Sequence, residues 1–318
     1  MGRGARKPAG FRDVDGILLL HKPIGISSNK ALQTVRHLFR ANKAGHTGSL
    51  DPLATGMLPI CFGEATKFSA YLLDASKTYR VICHLGRTTS TGDAEGEITS
   101  ECKVSVSGTD IAAVLDQFTG KIKQIPPMYS ALKHNGQPLY RLARAGKTVA
   151  RTARLVEIYQ LNLVSFDGVQ LEINVHCSKG TYIRTLAEDI GAALGCGAFV
   201  SLLERTAVHP FWRQPAYPLN HLTALAEQGL DMIDQYLLPV NSALSDLPEQ
   251  IIGAEAASLL NNGVAVRVSS VPHTGLVSLI SENGQFIGVG KALANGVIAP
   301  KRLMNTVKTT DALLTFKA

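Results

Sequence analysis

Residues 45–56 read Gly45-His46-Thr47-Gly48-Ser49-Leu50-Asp51-Pro52-Leu53-Ala54-Thr55-Gly56. A run so rich in Gly, Thr and Pro predicts a loop rather than a helix or strand. A Gly-rich loop invites the reading of a phosphate cradle, but no Gly-Lys-Ser/Thr follows it, so an NTPase site would lack its essential lysine. What remains is one carboxylate, Asp51, set before Pro52. The proline ring biases the residue before it towards extended backbone, so Asp51 is presented from a stiff turn. On spacing alone, an ordinary turn aspartate is the commoner reading.

Working outward, residues 14–20 (VDGILLL) predict a short buried strand, broken by a turn at His21-Lys22-Pro23-Ile24-Gly25. Ser27 or Ser28 then caps a helix whose Leu32, Val35, Leu38 and Phe39 share a face. Residues 77–85 alternate, which puts Tyr79, Val81, Cys83 and Leu85 on one side of a strand. Further strands are expected over 155–164 and 169–177. Thr181 to Arg184 continues extended, so Tyr182 and Arg184 face the same way, and Thr185 with Glu188 makes a capping box for a helix through Leu194. Arg184 could pair with a nearby carboxylate and hold Asp51 ionised. Pattern alone does not bring Asp51, Tyr79, Tyr182 and Arg184 together, and a core role for Tyr79 stays open.

The chain of 318 residues suggests two domains, and 45% hydrophobic composition allows a packed core. No uninterrupted apolar run of about 18 residues occurs, so no membrane span is expected. The five cysteines are odd in number and form no Cys-x-x-Cys pair, which argues against a disulfide framework and a zinc site. A cytoplasmic protein without metal or cofactor is the expectation. The net charge is +7, and its distribution says more than its size. Between Gln117 and Val156 there is no acid, while Lys121, Lys123, Lys133, Arg141, Arg144, Lys147, Arg151 and Arg154 lie there. From Gln214 to Val266 there is no Lys or Arg. One region therefore attracts a polyanion and another repels it. Tyr129, His134 and Tyr140 sit among the bases, as stacking platforms for unpaired nucleobases would. Residues 251–318 read as short strands with Asn283-Gly284 and Asn295-Gly296 turns, a small basic β-module after a larger α+β part.

The run GHTGSLDPLATGMLPICFGEATKFS resembles, almost letter for letter, the signature of the bacterial TruB family, the tRNA pseudouridine-55 synthases. KPIGISSNKAL, SKTYRVICHLG, QIPPMYSALKHNGQPLYRLAR and HCSKGTYIRTLAEDIGAALGCGAFVSLLERTAV are similar to its other blocks, in the same order. The C-terminal stretch GQFIGVG with APKRL is similar to the family's PUA-like module, so the resemblance covers nearly the whole chain. It implies that Asp51 is the nucleophile, that Tyr79 stacks against the target base, and that Arg184 salt-bridges Asp51. Tyr182 falls on the second active-site aromatic, and His46 on the residue that fills the space left by the flipped nucleotide. It implies substrate contacts from Lys22, Leu203, Lys133, Arg141 and Arg144 as well. One departure is His21, where the family usually has Asp before Lys-Pro.

The fold implied is an α+β pseudouridine-synthase fold: a mixed, mainly antiparallel sheet flanked by helices and loops, plus a small C-terminal β-barrel, PUA-like domain. The expected organisation is a basic N-terminal arm (1–12), a catalytic domain (13–250) carrying an RNA-clamping thumb at about 121–152, and the PUA-like module (251–318). The expected activity is isomerisation of uridine 55 in the tRNA T stem-loop, on a flipped-out base, by a monomer that needs no guide RNA or protein partner. An RNA-binding or remodelling protein of the same fold is the rival reading. A guide-dependent relative of the superfamily is another, disfavoured by the long basic insertion.

Overall fold

The computed structural model of the protein describes residues 10–268 and 274–305. Residues 1–9 of the basic arm, Ser269, and the charges Lys308, Asp311 and Lys317 lie outside the described residues.

Strand-forming sequence and alternation build a nine-stranded sheet. Across it run Tyr217–Pro218, Gly16–Lys22, Thr55–Phe62, Ala198–Val208, Lys77–Leu85, Gln170–Cys177, Arg154–Phe166 and Gly120–Gln124, with Ala44–His46 paired to Thr55–Phe62. Two of these pairings are parallel, Gly16–Lys22 with Tyr217–Pro218 and Thr55–Phe62 with Ala198–Val208; the others are antiparallel. Lys77–Leu85 alternates strictly between buried and half-exposed positions, as its sequence predicts.

The main core lies between this sheet and the helices Ser28–Leu38, Gly108–Gln117, Ile183–Ala193 and Leu219–Gln228. A second cluster fills the other face of the Gly16–Lys22 and Thr55–Phe62 strands, under the short helices Gly63–Phe68, Ser69–Asp74 and Val240–Leu244. Phe286, Val289 and Met304 of the C-terminal module join it, with Phe68 and Phe286 5.3 Å apart edge to face. That module is a five-stranded sheet, Glu249–Ile252, Gly275–Ser281, Phe286–Ala292, Val297–Leu303 and Val266–Arg267 in spatial order, around its own apolar centre. No helix among the described residues is long and apolar enough to cross a membrane.

Several local expectations need correction. His21 and Lys22 end a strand rather than starting the turn. The loop expected over 45–56 shortens, because Gly45-His46 and Thr55-Gly56 are strand residues. Arg184 is not extended: the helix starts at Ile183, with Tyr182 as its N-cap and no side-chain cap, so Thr185 and Glu188 form no capping box. The helix Ala254–Asn261 was not expected, since only Gly253 precedes it and no side chain caps it.

Candidate active site

Asp51 is held by its neighbours on the chain and by the helix that precedes it. Ser27 caps that helix through the Lys30 amide, freeing the buried Ser28 for another task. The Ser28 hydroxyl accepts from the Leu50 amide at 2.7 Å and donates to the Leu50 carbonyl at 2.9 Å, stapling the loop next to Asp51. On the other side, the Gly25 amide donates to the Pro52 carbonyl at 2.8 Å. Lys22, fully buried, donates to the carbonyls of Pro23 and Ile26 at 2.8 Å each and of Pro52 at 3.5 Å. Burial lowers the Lys22 ammonium to about 8, and the Asp51 charge opposes that fall.

Arg184 enters from the first turn of the helix Ile183–Ala193. Its Nη2 lies 3.0 Å from Asp51 Oδ2 and donates to the Tyr129 carbonyl at 2.6 Å. Its Nη1 donates to the Thr91 carbonyl at 2.9 Å and lies 3.4 Å from Asp93 Oδ2. The exposures differ sharply: the Arg184 and Asp93 side chains are 7% and 3% exposed, whereas Asp51 keeps 43%. The carboxylate that reaches solvent is Asp51. Partial burial still raises its carboxyl above the ordinary value; Arg184 pulls it back, Asp93 adds to the rise, and Lys22 opposes it.

Tyr79 sits opposite Arg205 on one neighbouring strand and Val175 on the other. Burial raises its phenol; Arg205 pulls it down, and the Asp51 charge pushes it up again. Tyr182 is half-buried, its backbone clasped by Gln124, whose Oε1 accepts from the Tyr182 amide at 3.0 Å. Burial also raises its phenol. His46 ends the short strand Ala44–His46. Burial first, then Arg205, lowers its imidazole below the ordinary value, which favours a neutral ring. Leu203 is buried opposite Val81, on the same face as Tyr79 and Arg205.

The structure therefore brings together Asp51, Arg184 and Lys22, with Tyr79 and Tyr182 within electrostatic reach of Asp51. Lys133, Arg141 and Arg144 stand apart and exposed, on the insertion between Gly120–Gln124 and Arg154–Phe166. That insertion holds the Lys133–His134/Gln137–Pro138 hairpin and the helix Leu139–Arg144. Its base reaches the site through the Tyr129 carbonyl on Arg184. His21, the departure from the family pattern, lies 3.5 Å from Glu204.

Sequence reasoning missed Asp93, Ser28 in its second role, Gln124 and Arg205. Asp93 lies in a polar loop with no periodicity to betray its burial. Arg205 left a usable sign: in the strand Ala198–Val208 it shares the inward phase of Leu203 and Ala207, where a cation is out of place.

Residues 36–183 match the model of the TruB family pseudouridylate synthase N-terminal domain. Residues 184–245 match the tRNA pseudouridylate synthase B C-terminal domain, and 248–304 the pseudouridine synthase II TruB C-terminal model. The chain is 53% identical over 296 residues to the tRNA pseudouridine synthase B of Pseudomonas fluorescens (strain Pf0-1), covering 93% of this chain and 97% of that one. It is 50% identical over 301 residues to that of Shigella boydii serotype 4 (strain Sb227), covering 92% and 96%. Among solved structures it is similar in fold to a chain of an H/ACA RNP bound to a substrate RNA containing 2'-deoxyuridine. That likeness has a TM-score of 0.70 at 23% identity, over 91% of this chain and 84% of the other.

Proposed function

Because the chain belongs to the TruB family of pseudouridylate synthases, we propose that it isomerises uridine 55 in the T arm of tRNA to pseudouridine, with Asp51 as nucleophile on a base drawn out of its stack. Pseudouridylation of tRNA is the activity that this membership carries; the position modified and the roles of single residues are the proposal.

The observation that supports it is the Asp51–Arg184 pair at 3.0 Å, in which the guanidinium is buried and only the carboxylate reaches solvent. A carboxylate so held is oriented before substrate arrives, and it can attack either the uracil ring or the ribose C1' as a covalent catalyst. The reaction breaks a carbon–nitrogen bond, turns the base and rejoins it through carbon, so nothing is oxidised or reduced. Extracting the base costs on the order of a few kcal/mol of stacking and pairing. Tyr79 offers a surface for the extracted base and a phenol for proton transfer, and a neutral His46 can fill the space it leaves. The acid-free segment with Lys133, Arg141 and Arg144 supplies phosphate contacts to a stem-loop, which favours stand-alone recognition over a guide RNA.

The test is incubation of wild type and Asp51→Asn with unmodified tRNA, mapping pseudouridine by chemical labelling. The variant is expected to form none while binding tRNA within about twofold of wild type, since the substitution leaves the phosphate contacts untouched. Persistent turnover would refute the nucleophile.

A further inference from the structure

Beneath the site lie three buried cations, Lys22, Lys77 and Arg205, and all of them donate to backbone carbonyls. Among the described residues, none of the three has a carboxylate oxygen within 4.0 Å. Lys22 and Lys77 have evident work, since each ties down a turn: Lys77 donates to the carbonyls of Leu72 and Leu73, Lys22 to those of Pro23 and Ile26. Arg205 is different. It is 2% exposed, with Nε on the Met57 carbonyl at 2.7 Å and Nη2 on the Gly48 carbonyl at 3.0 Å. Its side chain also bears on the Tyr79 phenol through a side-chain hydrogen bond, and its Nη1 lies 3.6 Å from where a Cβ on Gly48 would sit, beside the Asp51 loop. The backbone that carries it is closely packed: Gly56, its strand partner at φ +99°, passes so near that a Cβ there would sit 2.3 Å from the Arg205 backbone carbonyl oxygen. Directly across the strand pair is Tyr79. An ion buried without a counter-ion is costly, and a fixed charge of that kind suits an anion that exists only during a reaction.

We propose that Arg205 is a positioning residue that supplies this counter-charge, acting through Tyr79 to stabilise the uracil while it carries negative charge. The inference rests on the isomerase reading above. In that reaction, taken with Asp51 attacking the sugar, the Asp51–C1' ester bond forms as the C1'–N1 bond breaks, and the electron pair of the broken bond stays on the base, as charge shared by N1 and the ring oxygens. The base turns, C5 bonds to C1' and displaces the Asp51 carboxylate, and the C5 proton leaves, so no oxidant, reductant or co-reactant is needed. Between those two bonds the base is a detached anion, while Asp51 is tied up as an uncharged ester. A guanidinium fixed behind the Tyr79 phenol stabilises that anion.

The test uses the full chain as wild type, Arg205→Met, Arg205→Lys, Tyr79→Phe and the Arg205→Lys/Tyr79→Phe double variant. Single-turnover rates are measured on tRNA carrying uridine or 5-fluorouridine at the target position, read for both as loss of the starting nucleoside because fluorine takes the place of the C5 proton that would leave, with tRNA affinity and thermal unfolding alongside. Fluorine stabilises the base anion by itself, so it lessens the need for an external charge. Arg205→Met is expected to slow the uridine substrate at least 100-fold and the 5-fluorouridine substrate at least tenfold less severely. Arg205→Lys should recover at least tenfold of the loss, and tRNA affinity should stay within about twofold. The Lys and Phe effects should be less than multiplicative when combined, a cycle that decides the matter if Arg205→Met does not fold. Equal losses on both substrates, or fully multiplicative Lys and Phe effects, would overturn the proposal while leaving the isomerase reading standing. A wild-type protein that makes no pseudouridine would instead overturn both.

Discussion

Arg184 divides one guanidinium between two carboxylates of unequal surroundings, Asp51 at the surface and Asp93 sealed beneath it. The two acids therefore make different demands. Asp93 also accepts from the Thr91 hydroxyl at 2.6 Å and the Glu95 amide at 3.1 Å, so it ties the 91–95 loop to the guanidinium. Asp93→Asn keeps the shape and removes the charge. It should lower the single-turnover rate roughly 100-fold with tRNA affinity nearly unchanged, and cost stability of about 1–3 kcal/mol, the range for one buried group left poorly paired. A wild-type rate in that variant would show that the Asp93 charge is not needed to hold Arg184. For Asp51 the sign runs the other way. Its carboxyl is raised by burial, so the folded protein binds that proton more tightly than the unfolded chain does. Ionised Asp51 thus costs stability above its folded value, and the cost disappears below its unfolded value. Asp51→Asn should consequently melt no lower than wild type at pH 7, with the difference shrinking as pH falls through the carboxylate range. The acid limb of the wild-type rate should lie above an ordinary aspartate's titration, and a limb at or below it would mean that Asp51 is not the group that must be ionised. Asp51 was legible as a presented carboxylate because a proline follows it. Asp93 was not, because burial of a loop acid is decided by residues distant in sequence.

The elements that carry the site divide by how local their causes are. Lys77–Leu85 was readable because alternation is a property of the strand itself, and the helix Ser28–Leu38 because its cap is a side chain. The start of the helix Ile183–Ala193 was not, because no side chain caps it and Tyr182 is instead clasped by Gln124, 58 residues earlier. The insertion between Gln124 and Arg154 was readable from its charges, but its anchorage was not. Gln124 and Arg154 are register partners on adjacent strands, so a short turn can close the gap if the insertion is removed. Two deletions should then behave differently. Replacing 131–149 by a short Gly-Asn turn spares the Tyr129 carbonyl on Arg184 and the Arg151 contact with the Pro126 carbonyl at 3.0 Å. It is expected to weaken tRNA binding at least tenfold and to leave the rate at saturating tRNA within about threefold. Removing 125–150 also takes the Tyr129 carbonyl and should lower that saturated rate at least tenfold further. Identical saturated rates in the two deletions would show that the carbonyl does not position Arg184.

Across the whole molecule, charge is sorted by place rather than spread. The segment Gln117–Val156 has no acid and Gln214–Val266 no base, and the described structure puts the first on the edge strand Gly120–Gln124, the insertion and the start of the strand Arg154–Phe166, and the second along helices and the start of the C-terminal sheet. Each phosphate neutralised by a Lys or Arg releases condensed counter-ions, so the salt slope of binding counts such contacts. A net charge acting at long range would weigh every exposed residue alike, whereas a docked insertion would weigh only its own. Lys133, Arg141 and Arg144 are exposed on the insertion, and Glu227, Glu249 and Glu255 are exposed in the acidic region. Changing the three bases to Gln lowers the net charge by three; changing the three acids to Gln raises it by the same amount. If the insertion docks on the RNA backbone, the first set should weaken tRNA binding and flatten the slope of log K against log salt by about two to three. The second set should leave that slope within about half a unit, although it makes the protein more positive. Equal and opposite shifts from the two sets would mean that overall charge, and not the insertion, holds the RNA. A slope unchanged by the three bases would move the phosphate contacts elsewhere on the molecule.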